Sequence, residues 1–596
     1  MGQQFQNLVE LCDRSCERYQ DRPLFGQKRN GSWLWTTYGQ FHRLVDRCRG
    51  GLARYGIGAG DRVAIVANNR IEWAVAAYAT YGLGAAYVPM YRAQRPKEWE
   101  FILRDCEAKL VLTADTVALA AVEEMKPRLP SLRHVLGLEL TPHDDRSWST
   151  LLANGDAAPT PVIQPDPDSI AGFIYTSGTT GLPKGAMLSH RNIASNISAL
   201  HQVFTFDPED RSLSFLPWAH SYGQTAEVHG LISMGCSVAI CSDPTKLLEE
   251  LAEVQPTILV AVPRIFNRIY DAVTTQIDAR PGVVRKIIRG GVRGAIKRAH
   301  GEHLGALESL ELGFDERMVF KKIRDKFGGK LKYAISASAT LGLEVAEFID
   351  ALGLTVYEGY GLTETSPIVS ANYPGHRKLG SVGQVLPGIR VDIDRSVTGD
   401  PKIGEIVVHG PNVLVGYHNR PEENAKALTA DHGLRTGDLG YVDDDGYLWI
   451  TGRQKEQYKL ENGKYVMPGP IEERFKLSHF IGNVMLYGDG RPYNVALVVP
   501  NQAALDAWAK ERGWDLKPSF RDLRVHALIR DELAAYGQDL KGYERPREIL
   551  VLNEDFTVEN GLLTPTLKLR RNEVVARYRS HIETLYGRPP RESHAP

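Results

Sequence analysis

The sequence predicts an α/β protein with a large N-terminal region of stacked sheets and a small α/β domain at the C-terminus. Three observations support this fold class. The chain has 596 residues, too many for one hydrophobic core. Short β-branched runs alternate with helical stretches through the first half. After Gly452 the composition becomes strongly polar, which indicates a change of domain.

The strand–helix alternation begins at RVAIVAN, which starts at Arg62 and predicts a strand before the helical stretch RIEWAVAAYATYGLGA. KLVLTA, from Lys109, predicts the next strand, and Ala118–Met125 predicts a helix. The order recurs at SVAIC (from Ser237), TKLLEELAEV and TILVAV (from Thr257). This alternation predicts a mostly parallel sheet with helices on both faces.

A basic segment at about 280–328 interrupts the alternation. Apolar residues recur in it at roughly helical spacing, and its first acid is Glu302. Two interpretations are open: a solvated helix face on a surface insertion, or a basic amphipathic helix that contacts a membrane or a lipidic substrate. The pattern alone favours the first. The basic residues before Glu302 are Arg285, Lys286, Arg289, Arg293, Lys297 and Arg298.

The end of the large region is predicted to be rich in β-structure. GEIVVHG starts at Gly404, and the turn DDDG separates YV from YLWI in a predicted hairpin. NVALVVP, from Asn494, predicts a strand of the second domain. We therefore expect an N-terminal domain at 1–452, a hinge at 453–456 and a C-terminal domain at 457–596.

Composition limits the function classes. Lys plus Arg is 71 and Asp plus Glu is 72, so net charge gives no reason to propose nucleic acid as the main partner. Six cysteines in so long a chain do not form a disulfide framework, and Cys12 and Cys16 have no matching pair for a metal site. The start lacks the apolar region of a signal peptide, and no apolar run is long enough to span a bilayer. We expect a cytoplasmic location, with contact at a membrane surface left open.

The most specific segment is IYTSGTTGLPKGAMLSH, from Ile174. Small residues let backbone N–H groups approach phosphate oxygens, hydroxyls add donors, and Lys184 supplies a positive charge. Pro183 stands where a P-loop NTPase would have its second glycine, which excludes that family. A flexible surface linker is the weaker alternative. The predicted phosphate-binding residues are Thr176, Ser177, Gly178, Thr179, Thr180, Gly181 and Lys184.

This segment resembles the characteristic loop of the adenylate-forming superfamily, which includes acyl-CoA synthetases, luciferases and the adenylation domains of peptide synthetases. Four further segments fit the resemblance: LPWAHSYG, YAISASATL, VYEGYGLTETSP and LRTGDLG. In YAISASATL, Ala337 and Ser338 replace the usual glycines beside adenine. The resemblance implies binding of ATP, Mg²⁺ and coenzyme A, and a small C-terminal domain that rotates between two half-reactions.

The resemblance also assigns roles to single residues. His220 lies beside the substrate carboxylate, Thr363 contacts phosphate, and Glu364, with Thr176, holds Mg²⁺. Lys568, in the TPTLK string, enters the site during acyl-AMP formation, where a positive charge stabilises the reacting phosphorus. The catalytic set is thus Lys568, Lys184, Thr363, Glu364 and His220. The other nucleotide-binding residues are Ala337, Ser338, Glu358, Gly359, Tyr360, Gly361, Asp438, Arg453 and Lys459.

Within the superfamily the chain resembles long-chain fatty acyl-CoA synthetases. Three features carry this resemblance: the TPTLK ending, ENGKYVMPGPIEE, and the long insertion before YAISASATL. Gly469 and Pro470 depart from the usual residues after Pro468. The expected function is activation of a medium- to long-chain fatty acid as acyl-AMP, followed by transfer to coenzyme A. Two alternatives stay open: a ligase that loads an acyl carrier protein, and a nucleotide-binding scaffold without catalysis.

Overall fold

The computed structural model describes residues 3–176, 183–278, 280–299, 302–513, 519–564 and 568–587. The strands, in chain order, are β1 (Pro23–Arg29), β2 (Ser32–Thr37), β3 (Arg62–Val66), β4 (Ala86–Met90), β5 (Leu110–Thr113), β6 (His134–Gly137), β7 (Ile170–Thr176), β8 (Lys184–Ser189), β9 (Arg211–Ser214), β10 (Ser237–Ile240), β11 (Ile258–Ala261), β12 (Tyr333–Ser336), β13 (Val356–Gly361), β14 (Ile368–Ala371), β15 (Gln384–Val385), β16 (Arg390–Asp394), β17 (Gly404–His409), β18 (Gly416–Tyr417), β19 (Leu434–Val442), β20 (Leu448–Arg453), β21 (Tyr458–Lys459), β22 (Tyr465–Val466), β23 (Ile481–Tyr487), β24 (Asn494–Pro500) and β25 (Pro546–Val551).

The α-helices are α1 (Leu8–Arg18), α2 (Tyr38–Arg54), α3 (Ile71–Tyr81), α4 (Pro96–Asp105), α5 (Thr116–Met125), α6 (Trp148–Ala157), α7 (His190–Val203), α8 (Leu231–Ser233), α9 (Leu247–Val254), α10 (Pro263–Asp278), α11 (Gly282–Ala299), α12 (Ala306–Asp315), α13 (Lys321–Lys326), α14 (Leu343–Ala351), α15 (Pro421–Ala427), α16 (Pro468–Phe475), α17 (Gln502–Glu511), α18 (Leu523–Tyr536) and α19 (Arg571–Leu585). Two π-helical turns lie at Gly223–Gly230 and Glu316–Phe320.

The predicted fold class is confirmed. The largest sheet has seven strands in the order β18-β8-β7-β4-β3-β5-β6. Its centre is parallel, as the alternation predicted, whereas β8 and β18 extend one side in antiparallel pairing. Helix α3 is buried over most of its length because its sequence is apolar all round, as expected of a helix inside the protein.

Three further sheets complete the large region, in the orders β2-β1-β10-β9, β11-β12-β13-β14-β15 and β16-β17-β19-β20. The hairpin predicted at DDDG joins β19 to β20 in antiparallel register. Helix α7 follows β8 directly and starts with a capping box, because the Ser189 and Asn192 side chains each accept the other's backbone N–H. Its buried face carries Leu200 toward the interior of the protein.

The basic insertion forms a helical hairpin of α11 and α12 rather than a free surface helix. Its apolar side packs into the core that also contains α10 and α14: Ala295 is buried in this core, with Val292 and Ile296 packed against it. Ile288 is buried as well. Val283, at the start of α11, is 74% exposed. The insertion is therefore anchored by its apolar side, and its basic residues lie on or near the outer side.

The C-terminal elements have their own cores, built on the sheet β23-β24-β25. This region touches the large one at defined points: His479 Nδ1 lies 2.8 Å from Asp271 Oδ1, and Arg570 Nη2 lies 3.4 Å from Glu98 Oε1. The domain limits predicted at 452 and 457 stay a prediction. The cysteines are all unpaired. Within the described ranges, every helix is too short or too polar to cross a bilayer.

Candidate active site

A cavity of about 1930 Å³ lies where the large region meets the C-terminal elements. The predicted motifs converge on it from distant parts of the chain. Glu358 and Lys459 do not line it, and Ser177, Gly178, Thr179, Thr180 and Gly181 lie outside the described residues. The predicted residues that do line it are Thr176, Lys184, His220, Ala337, Ser338, Gly359, Tyr360, Gly361, Thr363, Glu364, Asp438, Arg453 and Lys568.

Two residues predicted to bind the nucleotide, Glu358 and Lys459, lie away from the lining of this cavity. Lys459 is exposed on β21, with its ammonium 5.4 Å from the ring centre of Tyr465, so it is not placed to bind a nucleotide in this cavity. Glu358 is buried beside Gly359, and burial raises its carboxyl pKa to about 7. The cavity wall includes the three residues that follow, Gly359, Tyr360 and Gly361, but not Glu358.

Asp438 is the centre of a hydrogen-bond network. It is buried on β19, and its carboxylate accepts from Tyr360 Oη at 2.7 Å and from Arg453 Nε at 2.7 Å. Asp438 and Arg453 are register partners of β19 and β20. Burial raises the pKa of Tyr360, and the charge of Asp438 raises the pKa of Arg453. A carboxylate has about four lone-pair sites, so Asp438 keeps acceptor capacity for ribose hydroxyls.

A glycine turn presents Thr363 and Glu364. A Cβ on Gly361 would lie 1.8 Å from the carbonyl oxygen of Pro367, so only glycine permits this close approach. The 3-10 turn at Thr363–Thr365 then begins, and Thr363 Oγ1 lies 3.0 Å from Ser221 Oγ. Ser221, Thr363 and Glu364 all line the same cavity.

Ser338 also adopts an unusual backbone conformation, with φ of +75°. A positive φ favours glycine, which is the residue that the motif normally has at this position. Ala337 and Ser338 both line the cavity.

Sequence reasoning missed Tyr417 and Glu423. Tyr417 Oη donates to Glu364 Oε1 at 2.8 Å, and its ring centre lies 5.5 Å from Lys184 Nζ. Glu423 forms a short ion pair with Lys184. Both residues lie in GYHNRPEEN, a segment that carried no recognisable spacing of its own, and only the fold brings it against β8.

The donor set fits one magnesium ion held largely by phosphate oxygens. No group of three or more His, Cys, Asp or Glu side chains among the described residues is placed to bind a metal ion. Glu364 supplies one carboxylate and Thr176 one hydroxyl among the residues that line the cavity. Mg²⁺ commonly uses one or two carboxylates together with substrate phosphates and waters, so this sparse set suits it.

Lys568 enters the cavity from the C-terminal elements. Its backbone is held by Thr564, whose Oγ1 accepts from Lys568 N at 3.0 Å and whose N–H donates to the Lys568 carbonyl at 2.8 Å. Desolvation by the surrounding protein, followed by the charge of Arg453, lowers the pKa of the Lys568 ammonium. Asp438 and Glu364 act in the opposite direction. Lys568 therefore lies close enough to Asp438 and Glu364 to interact with their charges.

His220 is a neutral group near Lys568. Burial, with a contribution from the Lys568 charge, lowers the pKa of His220 to about 4. The backbone N–H of Tyr222 donates to its Nδ1 at 3.2 Å, which leaves Nε2 as the other polar atom of the ring. Neutral imidazole at pH 7 is suited to hydrogen bonding with a carboxylic acid substrate rather than to forming an ion pair with it.

The remaining walls are apolar. They come from α7, the π-helical turn, α8 and the strands β11 and β14. Leu231 and Met234 are 2% and 5% exposed, whereas Ala226, on the π-helical turn, keeps its methyl group partly accessible. An apolar chain would find contact surface here and few hydrogen-bonding groups. The apolar wall residues include Leu200, Phe204, Phe206, Leu216, Ala226, Leu231, Met234, Val260 and Val262.

Comparisons with known proteins agree with this geometry. The chain is 31% identical to long chain acyl-CoA synthetase 7, peroxisomal, of Arabidopsis thaliana, over 94% of this chain and 82% of that protein. It is 33% identical to a long-chain-fatty-acid–CoA ligase of Mycobacterium bovis, over 94% of this chain and 93% of the relative. It is 30% identical to human long-chain-fatty-acid–CoA ligase 1, over 97% of this chain and 86% of the relative.

The fold is also that of a solved structure. The adenylation domain of a carboxylate reductase from Mycobacterium chelonae matches with a TM-score of 0.79 at 24% identity, covering 98% of this chain and 91% of that one. Two family profiles cover most of the sequence: AMP-binding enzyme at residues 12–418, and the AMP-binding enzyme C-terminal domain at residues 455–533. The resemblance found in the motifs is confirmed, and the chain belongs to the AMP-binding enzyme family, the adenylate-forming enzymes.

Proposed function

We propose that the protein is an ATP-dependent fatty acid–CoA ligase that forms acyl-AMP and then an acyl-CoA thioester. The observation that carries this proposal is the shared cavity. Charged groups suited to a nucleotide and apolar walls suited to an acyl chain line the same space, and Lys568 reaches into it. The curated relatives are long-chain acyl-CoA ligases by name, which supports the same activity.

In the first half-reaction, a carboxylate oxygen of the acid attacks the α-phosphorus of ATP, and the bond to pyrophosphate breaks. Lys184 and Lys568 supply positive charge for the phosphates, and Asp438 holds the ribose. Bound Mg²⁺ would neutralise triphosphate charge, with Glu364 and Thr176 as its protein ligands. Preorganised charges of this kind act most strongly where water is largely excluded.

In the second half-reaction, the sulfur of coenzyme A attacks the acyl carbonyl, the bond to AMP breaks, and the thiol proton leaves to solvent. The contacts His479–Asp271 and Arg570–Glu98 hold the C-terminal elements in the arrangement that places Lys568 inside. Rotation about the predicted hinge at 453–456 would have to break them.

The test is a panel of carboxylic acids with ATP and coenzyme A, with AMP and thioester measured separately. We expect catalytic efficiency to rise with chain length, by about 0.8 kcal/mol for each CH₂ that enters the apolar walls, and then to level off. Preference for acetate or an aromatic acid over decanoate and palmitate would contradict a fatty acid substrate. If AMP forms without acyl-CoA, and a thioester appears only when a phosphopantetheinyl carrier protein is added, the acceptor is that protein instead.

A finer proposal concerns membrane contact by the α11–α12 hairpin. Its apolar side is packed internally, but Val283 is exposed beside Arg285 and Lys286. Each basic residue near an anionic surface contributes about 1 kcal/mol, screened by salt. We expect binding to phosphatidylserine vesicles at low salt, and loss of it when Arg285, Lys286, Arg289 and Arg293 become Glu. A wild-type protein that ignores these vesicles would leave the hairpin as ordinary solvated surface.

A further inference from the structure

Lys184, the lysine of the phosphate loop, already has a carboxylate partner in the cavity. Its ammonium forms a short ion pair with Glu423 and lies 5.5 Å above the ring centre of Tyr417. The Lys184 and Glu423 side chains are 24% and 33% exposed, so the pair is partly shielded from water. A pair of this kind is stronger than a fully exposed one, because screening by solvent is weaker.

The fold fixes this pairing through short, local connections. Lys184 begins β8, and β18, which ends at Tyr417, pairs with β8 at its edge. Helix α15 follows four residues later, with Pro421 at its first position and Glu423 in its first turn. Asn424 joins helix to strand, because its side chain accepts from Tyr417 N at 2.6 Å and donates to Tyr417 O at 3.0 Å.

Glu423 also has a suitable electrostatic setting. Lys184 lowers the pKa of the Glu423 carboxyl, with smaller effects from Lys426 and Lys455. The carboxylate is therefore ionised at neutral pH, and it lines the same cavity as Thr176 and Glu364. Its oxygens pair with the Lys184 ammonium in the way that phosphate oxygens would.

We propose that Glu423 is a positioning residue: an internal counterion that holds Lys184 while the site is empty and competes with the β- and γ-phosphates of ATP for it. This inference rests on the proposed nucleotide-binding function. Binding of ATP must then break the Glu423–Lys184 pair, and departure of pyrophosphate is assisted when the pair re-forms. AMP, which lacks the β- and γ-phosphates, leaves the pair intact.

A merely structural role for Glu423, as a tie between α15 and β8, predicts something different. Loss of such a tie would lower thermal stability and disturb AMP and ATP binding together. Competition for Lys184 predicts a change for ATP alone, and in the direction of tighter binding. Comparison of the two nucleotides therefore separates the two roles.

The experiment uses the full-length protein and calorimetry, with Mg²⁺ present and with no acid or thiol. The ligands are AMP and α,β-methylene ATP, which cannot be cleaved at the bond that the reaction breaks. We expect Glu423→Gln to bind the ATP analogue about two- to fivefold more tightly, the upper part of the range for exposed ion pairs, with AMP affinity unchanged. Glu422→Gln, on the exposed side of the same helix, is the matched control and should bind both as the wild type does.

A double-mutant cycle with Lys184→Gln makes the test specific. If Glu423 acts through Lys184, Glu423→Gln should have no effect on analogue binding in the Lys184→Gln background. Glu423→Ala repeats the test without the amide. Unchanged or weaker analogue binding in Glu423→Gln, or an equal change for AMP, would overturn the proposal. Failure of the wild type to bind either nucleotide would instead contradict the proposed function.

Discussion

The two ends of the cavity are built in different ways. At the polar end, functional groups are held by specific partners: Asp438 by Tyr360 and Arg453, and Glu364 by Tyr417. At the apolar end, the walls are side chains whose packing alone sets the shape, as at Leu231 and Met234. The polar end should therefore determine the rate for every acid, whereas the apolar end should determine which acids are preferred.

The largest expected effect comes from the polar end. Lys568→Ala should slow acyl-AMP formation by about 10²–10³, the usual cost of losing one preorganised electrostatic group. Its chain-length profile should not change. The second half-reaction should be spared if the lysine acts only in the first, so the measurement compares acyl-AMP formation from acid and ATP with thioester formation from supplied acyl-AMP and coenzyme A.

Exposed Lys541→Ala is the control for this variant. Equal loss of both half-reactions would mean that Lys568 is structural or holds coenzyme A. No loss in either would mean that another cation supplies this charge. Arg570, two residues later and hydrogen-bonded to Glu98, would be the next to test.

Most residues that line the polar end could be selected from the sequence for a physical reason. Gly361, Thr363 and Glu364 lie close together in sequence. The strings TGD and TPTLK likewise contain Asp438 and Lys568 within a few residues. Chemistry restricts which residue types serve there, so short segments were sufficient. Glu423 was missed because an acid in a run of charged residues is typical of a solvated helix, and only the β8–β18 pairing places it against Lys184.

The apolar end was not predictable in this way. Leu200, Leu231 and Val260 come from three different elements, and a wall residue has the same pattern as an ordinary core residue. Likewise, the parallel centre of the large sheet followed from alternation, but the antiparallel β8 and β18 did not. Such pairings depend on contacts between residues far apart in sequence, which local periodicity does not encode.

The apolar end can be tested at Ala226. Its partly accessible methyl group lines the cavity, so Ala226→Leu should fill space that an acyl chain would use. Displacement of two or three CH₂ groups would cost about 2 kcal/mol, or about 30-fold in catalytic efficiency with palmitate. Octanoate should be affected far less. Ala503→Leu, exposed on α17, is the control; a uniform loss for all acids would mean that the variant damages the polar end instead.

Tyr417 tests whether the partners at the polar end matter. Tyr417→Phe removes the hydrogen bond to Glu364 and keeps the ring beside Lys184. Loss of a partner that orients a metal ligand commonly costs at least tenfold in metal affinity, so the Mg²⁺ concentration for half-maximal activity should rise by about tenfold. AMP binding without Mg²⁺ and the palmitate-to-octanoate ratio should stay constant. Tyr441→Phe, on β19 outside the cavity, should leave the Mg²⁺ requirement unchanged.

The smallest expected effect on rate concerns His220, at the junction of the two ends. Its pKa of about 4 lies below the ordinary 6.5, so the ring is neutral in the folded protein from about pH 5 upward. Titration of His220 should therefore contribute nothing to the pH–rate profile between pH 6 and 8. His220→Gln should keep the shape of that profile even if its maximum rate falls.

The same depressed pKa predicts a change in stability. Below about pH 6.5 the unfolded chain takes up a proton at His220, whereas the folded protein does so only near pH 4. Stability from the neutral ring is thus complete above the unfolded pKa and is lost as pH falls toward the folded one.

By this linkage, lowering the pH from 7 to 5 should cost the wild type about 2 kcal/mol of unfolding free energy at this residue. His220→Gln should lose less than the wild type, and the exposed His143→Gln should lose as much. Urea unfolding at both pH values gives the difference; equal acid sensitivity of His220→Gln and the wild type would mean that water in the cavity solvates the imidazolium, and that the junction belongs electrostatically to the polar end.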